Sequence, residues 1–206
     1  MKKLLSLLLV FTFLFSLTAC GPYSDEEVNP ILDALLIKEA ELNGYLYFDS
    51  FKTKEEPTED DLNSPYQHYY LVHPESKYVT MNALKGAVDA LYAESVREGI
   101  YEHAFDGFDD GEQVSRPPRF YEDKEGLKIN VSDDPYSGRT LALLGSAEVL
   151  RSNKTHILAE ITTYQFRNGK PMIDKKKIEI LYEDGAWKLM GQTMIVGTTT
   201  EKLIEE

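Results

Sequence analysis

Cysteine is nearly absent from this chain: its 206 residues hold one, Cys20. A lone cysteine excludes a disulfide within the chain and any zinc site built on cysteines. Histidine is scarce as well. His68, His73, His103 and His156 form no His-x-x-x-His or His-Glu-x-x-His pair, the spacing that brings two imidazoles onto one helix face for a zinc protease. Walker loops, the Gly-x-Ser-x-Gly elbow and the dinucleotide fingerprint are missing, and Gly138 and Gly145 stand isolated. Positive charge is in short supply, with 22 Lys and Arg against 35 Asp and Glu and a net of −13. Such a surface repels nucleic acid and anionic polymers, so no nucleic-acid partner is expected.

Only one apolar run is long enough to matter for a membrane. Met1-Lys2-Lys3 is followed by uncharged residues 4–19, rich in Leu and Phe. The run falls short of the roughly 20 residues that a spanning helix needs, and its basic start and small residues at the end fit a secretory signal. Its close, Leu17-Thr18-Ala19-Cys20, resembles the bacterial lipobox. That resemblance implies a diacylglyceryl group on the Cys20 sulfur and cleavage just before it. An ordinary signal peptide with an incidental cysteine, or a plain membrane helix, is the alternative. Each buried CH₂ contributes about 0.8 kcal/mol, so two or more acyl chains anchor stably where one does not.

The expected organisation is therefore a signal peptide over residues 1–19, the lipidated Cys20 with a short tether over 20–27, and one α+β domain over 28–200. The expected location is the extracytoplasmic face of the cell membrane, held by lipid. Loss of Lys2 and Lys3 leaves 20 cationic and 35 acidic side chains, a net of −15. That charge suits a basic partner or plain solubility at a crowded membrane face.

Within the domain, Asn29 can cap a helix with Pro30 in its first turn, and Ile31, Leu32, Leu35, Leu36 and Ala40 then recur at helical spacing. Asn43-Gly44 is a plausible stop. Residues 45–51 are aromatic and ambiguous. Residues 52–65, acidic around Pro57, read as an exposed loop, and residues 66–72 as a strand. Thr80 can cap a second helix carrying Leu84, Val88, Leu91 and Tyr92; Ile100, Tyr101, Ala104 and Phe105 suggest a third. After Pro117-Pro118 the period drops to two. A hairpin is expected around Lys124-Glu125-Gly126, followed by strands over 140–150, 155–166, 173–183 and 186–196. Asn168-Gly169 and Asp184-Gly185 are the dipeptides that two-residue hairpin turns require. Ile178, Ile180 and Tyr182 alternate with Lys177, Glu179 and Glu183. Helices first and an antiparallel meander last make an α+β domain: N-terminal helices on a bent sheet, with a concavity expected between the layers.

This order resembles the cone-shaped fold of nuclear-transport-factor-2-like and cystatin-like domains. The ending Lys177-Ile-Glu-Ile-Leu-Tyr-Glu-Asp-Gly-Ala-Trp-Lys-Leu189 is similar to the closing strands of that superfamily. Tyr69-Tyr70-Leu-Val, Tyr78-Val-Thr80, the helix from Met81 and the meander together resemble the DL-endopeptidase inhibitor family of Gram-positive bacteria, over about residues 30–196. Members are secreted or lipid-anchored proteins that bind and block cell-wall peptidases. The resemblance rests on element order and scattered aromatics, and it transfers no inhibitory residue.

Residues 106–112, Asp-Gly-Phe-Asp-Asp-Gly-Glu, superficially suggest a calcium loop. With Gly111 at the invariant glycine, the third position is Phe108 and the twelfth is Pro117, where oxygen ligands are required, so the EF-hand reading fails. His103 and Asp106 can share a helix face, and a cavity carboxylate or His serves as base in related cone folds; a surface His–Asp pair is the plainer reading. His68 can line the cavity or pack in its strand. Most tyrosines suit a half-buried sheet face, whereas Tyr121 and Tyr136, beside Pro-rich and Asp-rich loops, are candidates for exposed contacts.

These residues lead to a non-enzymatic extracytoplasmic lipoprotein that binds a protein partner or ligand and uses no cofactor. In its sharper form it regulates cell-wall peptidases, its acidic loops meeting a basic hydrolase cleft. The rivals are a cone-fold enzyme using His103 or Asp106, and a small-molecule carrier using an internal cavity.

Overall fold

Helix α1 (Asp25–Tyr47) begins one turn before the expected Asn29 cap. The Glu27 carboxylate accepts the Ser24 N–H at 2.9 Å while the Ser24 hydroxyl oxygen accepts the Glu27 N–H, a reciprocal box that satisfies two orphan donors. Asn29, freed from capping, accepts the Ala147 N–H at 2.9 Å instead. The structure, a computed structural model, describes residues 23–47, 51–62, 67–109, 115–132, 141–167 and 170–199. Cys20, Tyr136 and the Asn168-Gly169 turn lie outside the described residues. Among the described residues no helix is long and apolar enough to cross a membrane.

Expected elements recur with shifted bounds. The acidic segment after residue 51 contains a short helix, α2 (Glu59–Leu62). Thr80 caps α3 (Met81–Leu91), its hydroxyl accepting the Ala83 N–H at 3.2 Å, and Leu84, Val88 and Leu91 are buried along one stripe. The third helix arrives as α4 (Glu94–Tyr101) and runs on into a π-helical turn, Glu102–Asp106.

Among the described residues the strands form three sheets. β1 (Tyr69–Leu71), β4 (Phe120–Asp123) and β5 (Gly126–Asn130) make a small antiparallel sheet in the order β1-β5-β4, the β4–β5 pair being the expected hairpin. β2 (Phe108–Asp109) pairs with β3 (Ser115–Arg116). The large sheet has the order β10-β6-β7-β8-β9, from β6 (Leu141–Ser152), β7 (His156–Arg167), β8 (Lys170–Glu183), β9 (Ala186–Leu189) and β10 (Ile195–Thr199). β6 to β9 are antiparallel neighbours, as the alternation implies. Asp184 and Gly185 close the β8–β9 turn at φ 55° and 81°, the positive values this turn type demands.

The last expected strand is two. The chain leaves the sheet after Leu189, and Ile195 begins β10 on the opposite edge, parallel to β6. Sequence alternation cannot reveal this crossing, because both halves alternate in the same way. β6 itself is bent: its register against β7 shifts after Leu144 and again after Val149, and Gly145 takes φ 73°. Bulges of this kind increase local twist and curl a sheet.

α1 lies against the large sheet. Its stripe of Val28, Leu32, Leu35, Leu36, Leu42 and Leu46 is buried with Ile157, Ala159, Ile161, Ile178 and Ile180 in one cluster. Side chains of both layers meet in this core. A second aromatic cluster ties the helices to the small sheet, with Phe120 centred 5.1 Å from Phe51 and 6.1 Å from Phe105.

Candidate functional site

A groove lies along β1. Val72 bridges to Thr53, and the Lys54 N–H donates to the Leu71 carbonyl at 2.8 Å, so residues 52–54 shield part of this edge strand. Beside them opens a groove of about 620 Å³, within the usual size of a ligand site. Lys54 and Glu55 line one side, Glu125 and Lys128 another, and His68 to Leu71 lie between them. Lys128 Nζ is held by Glu125 at 2.6 Å and Asp123 at 3.0 Å. These partners raise the lysine pKa, Glu125 most, while the Glu125 N–H and Lys128 lower that of Asp123. The groove thus offers aromatic surface, ammonium donors and carboxylate acceptors with nearly balanced charge. That set suits a polar, uncharged or zwitterionic group better than a bare ion.

His68 stands at its rim with an unforeseen partner. Its Nδ1 is 3.1 Å from Asp61 on α2. Thr58 caps α2, and Asp61 answers it: the Asp61 carboxylate accepts the Thr58 hydroxyl and N–H, and the Thr58 oxygen accepts the Asp61 N–H at 3.2 Å. Tyr70 adds a hydroxyl donor to the same carboxylate at 2.6 Å. The Thr58 and Tyr70 hydroxyls hold the Asp61 carboxyl down at about 2, and Asp61 in turn raises the Tyr70 pKa. The Thr58-x-x-Asp61 spacing was the legible signal for the box; its meeting with His68 depends on how the chain folds back between them. Mechanically, the pair pins an acidic loop to a strand. Chemically, a carboxylate can orient an imidazole for proton transfer, but Tyr70 binds the carboxylate rather than the ring.

The other candidates are dispersed. His103 is half-buried with its ring stacked on Tyr47, centroids 5.3 Å apart. Asp106 is exposed, 3.9 Å from Lys85 Nζ. The helical spacing that placed these two on one face assumed α winding, whereas the π turn bonds residue i to i+5 and rotates successive side chains less. Tyr121 is exposed, 49 %, edge-on to Tyr69 at 6.1 Å, beside the groove. Among the described residues no three His, Cys, Asp or Glu side chains gather as a metal site.

A second polar centre was missed. Glu39 is fully buried in the α1 stripe. Its Oε1 accepts the Thr193 N–H at 2.6 Å and the Tyr92 hydroxyl at 3.1 Å, and its Oε2 accepts the Thr193 hydroxyl. Burial pushes its pKa up, against the lowering pull of Thr193, Tyr92 and Lys176. Burial likewise raises the Tyr92 pKa and lowers that of Lys176, whose Nζ donates to the Thr193 carbonyl at 2.7 Å. Asn43 donates to the Ile195 carbonyl at 3.4 Å. The centre therefore fixes the crossing between β9 and β10, including Met194 at φ 61°. Val28, Leu32, Leu35, Leu36, Leu42 and Leu46 repeat every three or four residues, and positions 39 and 43 continue that repeat; two polar residues on an apolar stripe were the available clue.

No protein-family model matches the chain, and no curated protein matches it.

Proposed function

We propose that this chain is a lipid-anchored protein of the outer membrane face that binds a partner in the cell envelope without chemistry of its own. The sharper form is a regulator of cell-wall peptidases. The lipobox-like Leu17-Thr18-Ala19-Cys20 supports the anchoring. The α+β architecture fits the resemblance to DL-endopeptidase inhibitors.

The observation that carries the binding reading is where open and filled space lie. Side chains of α1 and the large sheet pack into one buried core, while the groove beside β1 is open and lined by tyrosine, lysine and glutamate. Surfaces of this composition hold partners through aromatic area with polar tips. The domain also sits close to its tether: Tyr23 packs edge-on to Trp187 at 5.8 Å, and the Ser152 hydroxyl donates to the Tyr23 carbonyl at 3.2 Å. A body held this near the membrane meets partners in the adjoining wall layer.

The test is capture of wall hydrolases on the membrane-bound full chain, followed by assay of the retained enzyme. The reading expects a retained peptidase with reduced activity. No retained hydrolase and no change in activity would remove the regulator form.

A further inference from the structure

We propose that the outer edge of β8 from Lys170 to Lys177 is a docking rail for an extended acidic segment of another protein, which joins the large sheet as an added strand. β8 has 14 residues, but β9 pairs with it only through Ile180–Glu183. Next to that pairing, the edge is met by the β9–β10 crossing, through Lys176 Nζ on the Thr193 carbonyl at 2.7 Å. Further along, among the described residues, Lys170 to Lys175 pair with β7 alone. Such an edge presents backbone donors and acceptors ready to pair with a further chain from Ile173 onward, Pro171 contributing a carbonyl but no N–H. Met172 is 37 % exposed and Ile173 53 %, and their neighbouring positions set them on opposite faces of the strand. A seated strand would gain apolar contact on both sides.

Charge selects the occupant. Residues 170–177 carry four lysines and one acid, Asp174, in a chain of net −13. Lys175 is engaged by Glu160 at 2.5 Å, whereas Lys170 and Lys177 have no ion pair among the described residues. A second copy of this chain is a poor fit. Symmetric edge pairing is antiparallel and joins positions of the same parity, so its longer registers set Lys170 opposite Lys176 or Asp174 opposite itself; like charges facing each other destabilise a ladder. An acidic strand turns the same positions into opposite-charge pairs. A polyanion without a peptide backbone would use the lysines but leave the backbone edge and the two apolar side chains uncovered. The rail needs neither the lipid nor a hydrolase, so it stands apart from the function proposed above.

The experiment titrates the full chain with a labelled peptide of about eight residues, a common strand length, alternating Glu and Val. Two further peptides carry N-methyl groups on alternate residues, one on the odd set and one on the even, and polyphosphate serves as competitor. Strand addition uses one edge of the peptide. One methylated peptide should therefore bind like the parent while the other weakens about tenfold or more. K170E/K177E, with circular dichroism matching the parent chain, should weaken the parent peptide by about tenfold as well. Hydrogen exchange should show new protection confined to β8. Equal binding of both methylated peptides, full displacement by polyphosphate with no effect of methylation, self-pairing of the chain through this edge, or absence of binding would each overturn the proposal.

Discussion

Glu39 accepts the backbone N–H of Thr193 at 2.6 Å across 154 positions of sequence. That contact joins helix α1 to the segment that carries the chain from one edge of the large sheet to the other. Replacing Glu39 by Ala strips the Thr193 N–H and hydroxyl and the Tyr92 hydroxyl of their acceptor in a buried site. The expected loss is roughly 2 to 4 kcal/mol of unfolding free energy, and less for Glu39→Gln, which keeps one acceptor. Urea titration of the three proteins measures it. Equal stability of E39A and the parent would show that water reaches the site.

The same residue gives a pH signature. Burial holds the Glu39 pKa above its ordinary 4.5, so the unfolded chain gives up this proton first as pH rises. Its contribution is fully present below 4.5 and is lost as pH climbs through the folded value. The stability difference between the parent and E39Q should therefore move against the parent as pH rises above 4.5. A difference that stays flat over that range would mean an unshifted carboxyl.

Asp61 behaves in the opposite sense. Its folded pKa of about 2 lies below the ordinary 3.8, so its contribution is present above 3.8 and is lost as pH falls from 3.8 through about 2. Asp61→Asn should lack that acid-side loss and should speed proteolysis of the segment around α2 at neutral pH. Unchanged cleavage would show that Tyr70 and His68 do not restrain this loop.

The buried and the exposed end of β8 should respond differently to the same truncation. Ile180 is fully buried in the α1–sheet interface, and Ile180→Ala should cost about 3 kcal/mol. Ile173, exposed on the same strand, should tolerate Ala within about 0.5 kcal/mol. Thermal melts of the two variants decide it, and similar costs would mean that something covers the outer end of β8.

Gly185 tests the turn. At φ 81° a Cβ meets no neighbour within 4 Å, so Gly185→Ala should cost about 1 kcal/mol through backbone strain alone. Loss of more than that would indicate a contact the turn does not show.

Features that depend on local spacing were legible in the residues. Asp184-Gly185 announces its turn, Ile178 and Ile180 announce a buried face, and Thr80 announces a helix start, each within a few positions. Features that depend on distant meetings were not. β10 reaches β6 through a crossing held by a glutamate far upstream, and His68 meets Asp61 only once α2 folds back onto β1. The expected His103–Asp106 face depended on α-helical winding that the π turn replaces. Glu39 lay between these cases: its place on an apolar stripe was visible, but its partners were not.

Anchoring is the claim on which the proposed role rests, since it would hold the groove beside β1 at the wall. The most direct measurement is intact mass of the mature chain from the membrane fraction. The account predicts an N-terminal Cys20 carrying a diacylglyceryl mass. A mature chain free in the medium, beginning at another residue and bearing no lipid, would contradict it.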